Sequence, residues 1–167
     1  LPEYCFWYCN QLTKVVLPKK LQSIGNQCFH GCSSLKTIEF GDQLKIIGDE
    51  SFRECSSLST VKFGNQLKTI GRAAFSYCNL QDTVVLPDSL EEIGEACFEY
   101  NVNLKKIVLS QKLVNLSNYC FYECSSLSTI EFGDQLRTIG NYSFSYCNLQ
   151  DTIVLPDSLQ EIGYEGF

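Results

Sequence analysis

A phenylalanine returns every 23 residues along this chain, at Phe6, Phe29, Phe52, Phe75, Phe98, Phe121, Phe144 and Phe167. No insertion or deletion disturbs the step. When one large apolar residue recurs so regularly, every copy must follow the same path and bury its ring against the next. Only a stack of like coils satisfies that, a solenoid in which each repeat contacts its neighbours alone. Each coil opens on an aliphatic residue, Leu1, Ile24, Ile47, Ile70, Ile93, Leu116, Ile139 and Ile162, usually followed by glycine. Counting positions 1 to 23 from that residue gives seven full copies over 1–161, with 162–167 opening an eighth.

Positions 1, 6, 9, 12, 15, 17 and 21 are apolar or Cys in nearly every copy. The stretch Leu35-x-x-Ile38-x-Phe40, repeated as Leu58-x-x-Val61-x-Phe63 and Leu127-x-x-Ile130-x-Phe132, is a leucine-rich repeat core. Positions 15 and 17 alternate with polar neighbours, the strand period of two. The expected fold is therefore a mainly β leucine-rich repeat solenoid. It has a parallel sheet on its concave face, with strands about 4.8 Å apart, and short turns or 3₁₀ segments on the return leg. Gly41, Gly64 and Gly133, or Pro18, Pro87 and Pro156, end the strand, and glycines at position 2 suggest a turn. Leu80 and Leu149 stand one place early, each followed by Gln-Asp, which predicts a local distortion with the leucine still inside. The segments 55–93 and 124–162 are nearly identical, a duplication of a three-repeat block.

The pattern Ile-Gly-x-x-Cys/Ala/Ser-Phe-x-x-Cys-x-x-Leu-x-x-Ile-x-Leu-Pro-x-x-Leu resembles the BspA-like leucine-rich repeat family over the whole chain. Only Asn101 departs from the cysteine at position 9. The resemblance implies a surface protein of the kind found in bacteria and mucosal protozoan parasites, with adhesion to host proteins as the role. That suggests a cell-surface or secreted, protein-binding module whose ligand is a host or extracellular-matrix protein. The alternative is a structural spacer with no specific ligand. Both ends fall within a repeat and carry no polar cap, so the expectation is one solenoid domain, 1–167, from a longer array, with self-association at uncapped ends.

Chemistry has little footing. Acidic and basic residues are interleaved, with a net charge of −6 and no basic stripe, which argues against nucleic acid and anionic membranes. No apolar run nears the ~18 residues that span a bilayer. No nucleophile elbow, phosphate loop or paired-carboxylate motif is present, so neither an enzyme nor a cofactor is expected. The ten cysteines form two columns, Cys9, Cys32, Cys55, Cys78, Cys124 and Cys147 at position 9, and Cys5, Cys28, Cys97 and Cys120 at position 5. They read as buried thiols acting as small apolar side chains. Cys28, His30 and Cys32 are the best zinc candidate, but position 7 should face outward, leaving His30 solvated.

Two surfaces remain for binding. The outward strand columns are position 14 (Lys14, Thr37, Thr60, Thr83, Lys106, Thr129, Thr152) and position 16 (Val16, Glu39, Lys62, Val85, Val108, Glu131, Val154). From Thr37 onward these are the candidate ligand-binding residues, centred on Val85 and Val108, with Lys62, Lys106 and Glu131 as rim. Such a sheet should be shallow and offer no pocket for a small molecule. The second surface is lateral: Tyr8, Tyr77, Tyr100 and Tyr146 at position 8, with Trp7 and Tyr122 beside them.

Overall fold

The computed structural model describes residues 1–150 and 152–167; Asp151, and with it part of the second early-leucine distortion, lies outside the described residues. The chain is a parallel β-solenoid with no helix among the described residues. Consequently no helix is long and apolar enough to cross a membrane.

The coils build two separate ladders, the first of them, among the described residues, from the second to the sixth coil only. The expected one holds β2 (Thr37–Glu39), β4 (Thr60–Lys62), β6 (Asp82–Val85), β8 (Leu104–Val108) and β10 (Thr129–Glu131). Their alternation follows from side chains pointing to opposite faces: Ile38, Val84 and Ile107 are buried, and their neighbours face outward. The ladder is split, β2 pairing β4 while β6, β8 and β10 form a separate three-stranded sheet. The split falls at the early leucine. Leu80 is fully buried as expected, and the distortion is a bulge, with Asp82 opposite Leu104 but Thr83 opposite Lys106.

The structure adds a second ladder, built from the last position of one coil and the first of the next: β1 (Ser23–Ile24), β3 (Ile46–Ile47), β5 (Thr69–Ile70), β7 (Glu92–Ile93), β9 (Asn115–Leu116), β11 (Thr138–Ile139) and β12 (Glu161–Ile162). It is continuous from β1 to β7 and again from β9 to β12. The interruption sits where Leu116-Ser117 replaces Ile-Gly. At Gly140 the backbone N–H donates to Leu116 O at 2.9 Å, whereas at Ser117 it is the hydroxyl that donates to Ile93 O, at 2.7 Å. Glycine at position 2 is required by crowding rather than by turn freedom. A Cβ on Gly140 would lie 2.6 Å from the backbone nitrogen of Asn118 in the preceding coil.

Between the ladders runs the return leg, positions 3 to 9. Its amides at positions 4, 6 and 8 donate to the next coil: Tyr4 to Asn26 O (3.1 Å), Phe6 to Cys28 O (2.7 Å), Tyr8 to His30 O (2.7 Å), and so on along the stack. Positions 4 and 8 adopt left-handed backbone in every copy, with φ between 47° and 61° at the non-glycine residues. These paired bends turn the chain so that positions 5, 6 and 9 aim inward. Left-handed backbone is disfavoured for L-residues. It persists here because bonds to both neighbouring coils fix it.

The core is a column of parallel rings. Phe6, Phe29, Phe52, Phe75, Phe98, Phe121, Phe144 and Phe167 stack at centroid separations of 4.8 to 5.4 Å, within 14° of parallel. Phe40, Phe63 and Phe132 meet that column edge-on.

The cysteines flank this column as unpaired thiols. Position 9 has a specific task. The thiols of Cys32, Cys55, Cys78, Cys124 and Cys147 each donate to the carbonyl of the preceding coil's phenylalanine, at 3.1 to 3.3 Å. Burial pushes the Cys28 thiol up to about 11 and Cys32 and Cys147 to about 12, and it also raises Cys97, Cys120 and Cys124 well above the ordinary thiol value. Such thiols are poor nucleophiles. Cys5 and Cys9, in the first coil, are exposed.

Candidate protein-binding face

The outward residues of the first ladder stand in register, Thr37 opposite Thr60 and Glu39 opposite Lys62, then Thr83, Lys106 and Thr129 in one row and Val85, Val108 and Glu131 in the next. Val85 is 58% exposed and Val108 half-buried. The split between β4 and β6 divides the candidate residues. Thr37, Glu39, Thr60 and Lys62 belong to the two-stranded piece, and Thr83 through Glu131 to the three-stranded one. Thr152 and Val154 are exposed but outside any strand. Glu39 and Lys62, though opposite one another, form no ion pair among the described residues; Lys106 pairs with Glu131 on the neighbouring strand.

The face is not uniformly shallow, contrary to the expectation from its β-branched residues. A groove of about 910 Å³ opens over the first three coils, lined among others by Lys14, Val16, Thr37, Glu39, Lys62 and Phe63. Residues 13–18 of the first coil form no ladder strand, and the surface is recessed beside β2. Its walls carry both signs of charge together with exposed aliphatic surface, suited to a mixed polar and apolar protein segment.

The lateral face carries more than the sequence indicated. Tyr77 and Tyr100 stack at 4.6 Å, and Tyr119 and Tyr142 at 5.1 Å. Tyr119 and Tyr142 come from position 4, where the left-handed bend turns them beside the position 7 and 8 rings; a regular hydrophobic pattern gives no sign of this.

His30 corrects an expectation. The outward position 7 predicts a solvated side chain, but that of His30 is only 11% exposed. Its Nδ1 lies 3.8 Å from a Glu50 carboxylate oxygen and has no hydrogen-bond partner, and its Nε2 lies 3.9 Å from Glu54. The cause is the next residue. Gly31 occupies position 8, where other copies carry Tyr or Glu, and a Cβ there would stand 2.7 Å from Tyr8 Cδ1. Without it, the Tyr8 ring approaches His30, 5.3 Å between centroids. Among the described residues, no group of three or more His, Cys, Asp or Glu side chains is arranged to hold a metal ion.

Comparison with known proteins agrees with this architecture. No curated protein matches the sequence. Among solved structures, the chain resembles a leucine-rich repeat protein of T. pallidum, with a TM-score of 0.83 and 33% identity over 90% of this chain and 71% of that one. It also resembles a leucine-rich repeat protein of Bacteroides ovatus, with a TM-score of 0.71 and 28% identity over 96% of this chain, which spans 48% of that one. A leucine-rich cell surface protein of Faecalibacterium prausnitzii shares the fold at 17% identity, a TM-score of 0.64, and coverage of 99% and 59%. The family model for the BspA type leucine rich repeat region matches in six copies, over residues 1–99 and 47–167. The chain therefore belongs to the BspA-type leucine-rich repeat family.

Proposed function

We propose that the chain captures a protein ligand on the outward face of its first ladder and acts as a surface adhesion or host-interaction segment, in a cell-surface or secreted protein. The observation that carries this reading is the outward Val85–Val108 pair in the three-stranded sheet, Val85 exposed and Val108 half-buried. Lys106 and Glu131 flank it on one side, and Lys62 and the groove lie on the other. Exposed aliphatic residues ringed by charges are the composition of a protein-binding patch. The rigid ladder beneath presents them without an ordering penalty.

The test is capture on an array of immobilised matrix and serum proteins, followed by acetylation footprinting of the bound chain. Lys62 and Lys106 should lose reactivity, while Lys45, beside the second ladder, keeps it. Absence of capture, or protection confined to lysines outside this face, favours the spacer reading.

A further inference from the structure

Charge and aromatic rings are unevenly placed around the coil. Positions 1 to 9 hold all nine tyrosines, the single tryptophan and eight acidic residues, against Arg53 and Arg72 alone. The other positions hold eleven acidic residues and eleven basic ones, including every lysine. The whole net charge of −6 thus belongs to the return leg.

Folding gathers these residues into one surface. Tyr77, Tyr100, Tyr122, Tyr119, Tyr146, Tyr142 and Tyr164 form an unbroken run of ring contacts, with centroids 4.6 to 5.8 Å apart. Tyr77, Tyr146 and Tyr164 are 40%, 64% and 66% exposed. Carboxylates are set among the rings. Glu99 is half-buried and accepts from the Ser76 hydroxyl at 3.2 Å, and Glu123 adjoins Tyr122 in sequence. Desolvation raises the Tyr100 hydroxyl, with Tyr77, Glu123 and Glu99 adding to it; Tyr122 is raised by desolvation, then by Tyr146, Tyr100 and the same two carboxylates. The chain already shows one cation using this surface. Arg53 places its guanidinium carbon 5.5 Å from the centre of the Tyr77 ring, at one end of the run.

We propose that this tyrosine–glutamate face is a second docking surface, distinct from the strand face, for an arginine-rich segment of a partner protein. Its guanidinium groups would lie on exposed tyrosine faces, as Arg53 lies on Tyr77, and pair with Glu99 and Glu123. Ring faces attract cations, and carboxylates beside them accept the guanidinium N–H groups. Arginine suits the site better than lysine because its planar group stacks and donates in a fork. The strand face, with balanced charge and no such run of rings, has no claim on this ligand.

Calorimetric titration of the whole chain with a ten-residue peptide of alternating Arg and Ser tests it, beside peptides with Lys or Glu in place of Arg. The Arg peptide should bind, the Lys peptide several-fold more weakly and the Glu peptide not at all. Tyr77→Leu with Tyr100→Leu, which keeps apolar cover but removes the rings, should weaken Arg-peptide binding about tenfold. Tyr77→Phe with Tyr100→Phe should retain it, and Glu99→Gln with Glu123→Gln should weaken it several-fold. Val85→Ser with Val108→Ser should leave it unchanged, so the strand-face reading can fail without affecting this one. Equal binding of the Arg and Lys peptides, unaltered by the leucine pair in a chain of normal circular dichroism, would show mere attraction to net charge and overturn the proposal. So would failure of the Arg peptide to bind.

Discussion

The side-chain amide of Asn101 donates to the main-chain carbonyl of Phe75 at 2.9 Å, the bond that a cysteine thiol makes in other coils. The departure at position 9 is thus a substitution of donor rather than a lapse in the pattern. Asn101 does more than cysteine could. It also donates to Phe98 O at 2.9 Å and accepts from the Leu80 amide at 3.1 Å. That last bond satisfies a backbone group displaced by the early leucine, so the irregularities of the fourth and fifth coils are a matched pair.

Asn101→Ala should therefore destabilise the chain strongly, by about 2–4 kcal/mol, because the buried Phe75 carbonyl and Leu80 amide lose their partners at once, while the Phe98 carbonyl keeps the Cys124 thiol. Asn101→Cys keeps the donor to Phe75 but orphans the Leu80 amide, and should lose about half as much. Urea melts of the three proteins give the order. Equal losses in the two variants would mean that the amide's acceptor role is idle.

The phenylalanine column should show the nearest-neighbour character of a solenoid. Phe98→Ala removes a fully buried ring stacked on both sides and should cost about 3–5 kcal/mol. Phe6→Ala should cost distinctly less, since Phe6 is half-buried and has a ring on one side only. Denaturant midpoints at unchanged slope are the readout.

Glycine and alanine exchanges should act opposite to their usual order along the return leg. Ala96 is held at φ 54° without being glycine, so Ala96→Gly should leave stability unchanged or raise it by up to about 1 kcal/mol. Gly140→Ala forces a methyl toward the backbone of Asn118 and should destabilise by at least about 1–3 kcal/mol, with loosening around β11. Thermal melts with the two variants side by side decide it.

Glu99 gives the lateral face a pH signature. Its carboxyl is raised above the usual range, first by desolvation and further by Glu95, against the lowering effect of Ser76 and Arg53. A raised folded-state value means that the folded chain holds this proton more tightly than the unfolded one. The contribution is fully favourable below the ordinary glutamate range and is lost as pH rises through the raised value. At neutral pH Glu99→Gln should stabilise slightly, by less than about 1 kcal/mol given the solvent still around the group. That gain should vanish on acidification. A difference independent of pH from 3 to 8 would remove the carboxyl from the account.

The coil and its inward columns were legible because a strict period leaves the chain one way to bury its large side chains. The second ladder was not, since its two-residue strands begin with Ser23, Ile46, Thr69, Glu92, Asn115, Thr138 and Glu161, which show no alternation or common character. The left-handed positions were hidden for a related reason. They hold Ala73, Ala96, Tyr119 and Glu50 rather than glycine, because bonds between coils impose the conformation. His30 was misplaced because its burial depends on Tyr8, one coil away, and on the missing side chain at Gly31. On the candidate face the residues were identified correctly as outward, but the split between β4 and β6, and the groove, come from a bulge and from unpaired strand backbone.

The most direct test of the proposed role is the affinity of Val85→Glu/Val108→Glu for whichever immobilised protein the parent chain captures, beside Tyr77→Leu/Tyr100→Leu. Both side-chain changes lie on outward surface, so circular dichroism should be unchanged. The strand-face account predicts that the glutamate pair abolishes capture, a loss of at least about a hundredfold for two charges placed in an apolar contact, while the leucine pair binds as the parent does. Undiminished capture by the glutamate pair, with loss in the leucine pair, would contradict it and assign that ligand to the tyrosine face.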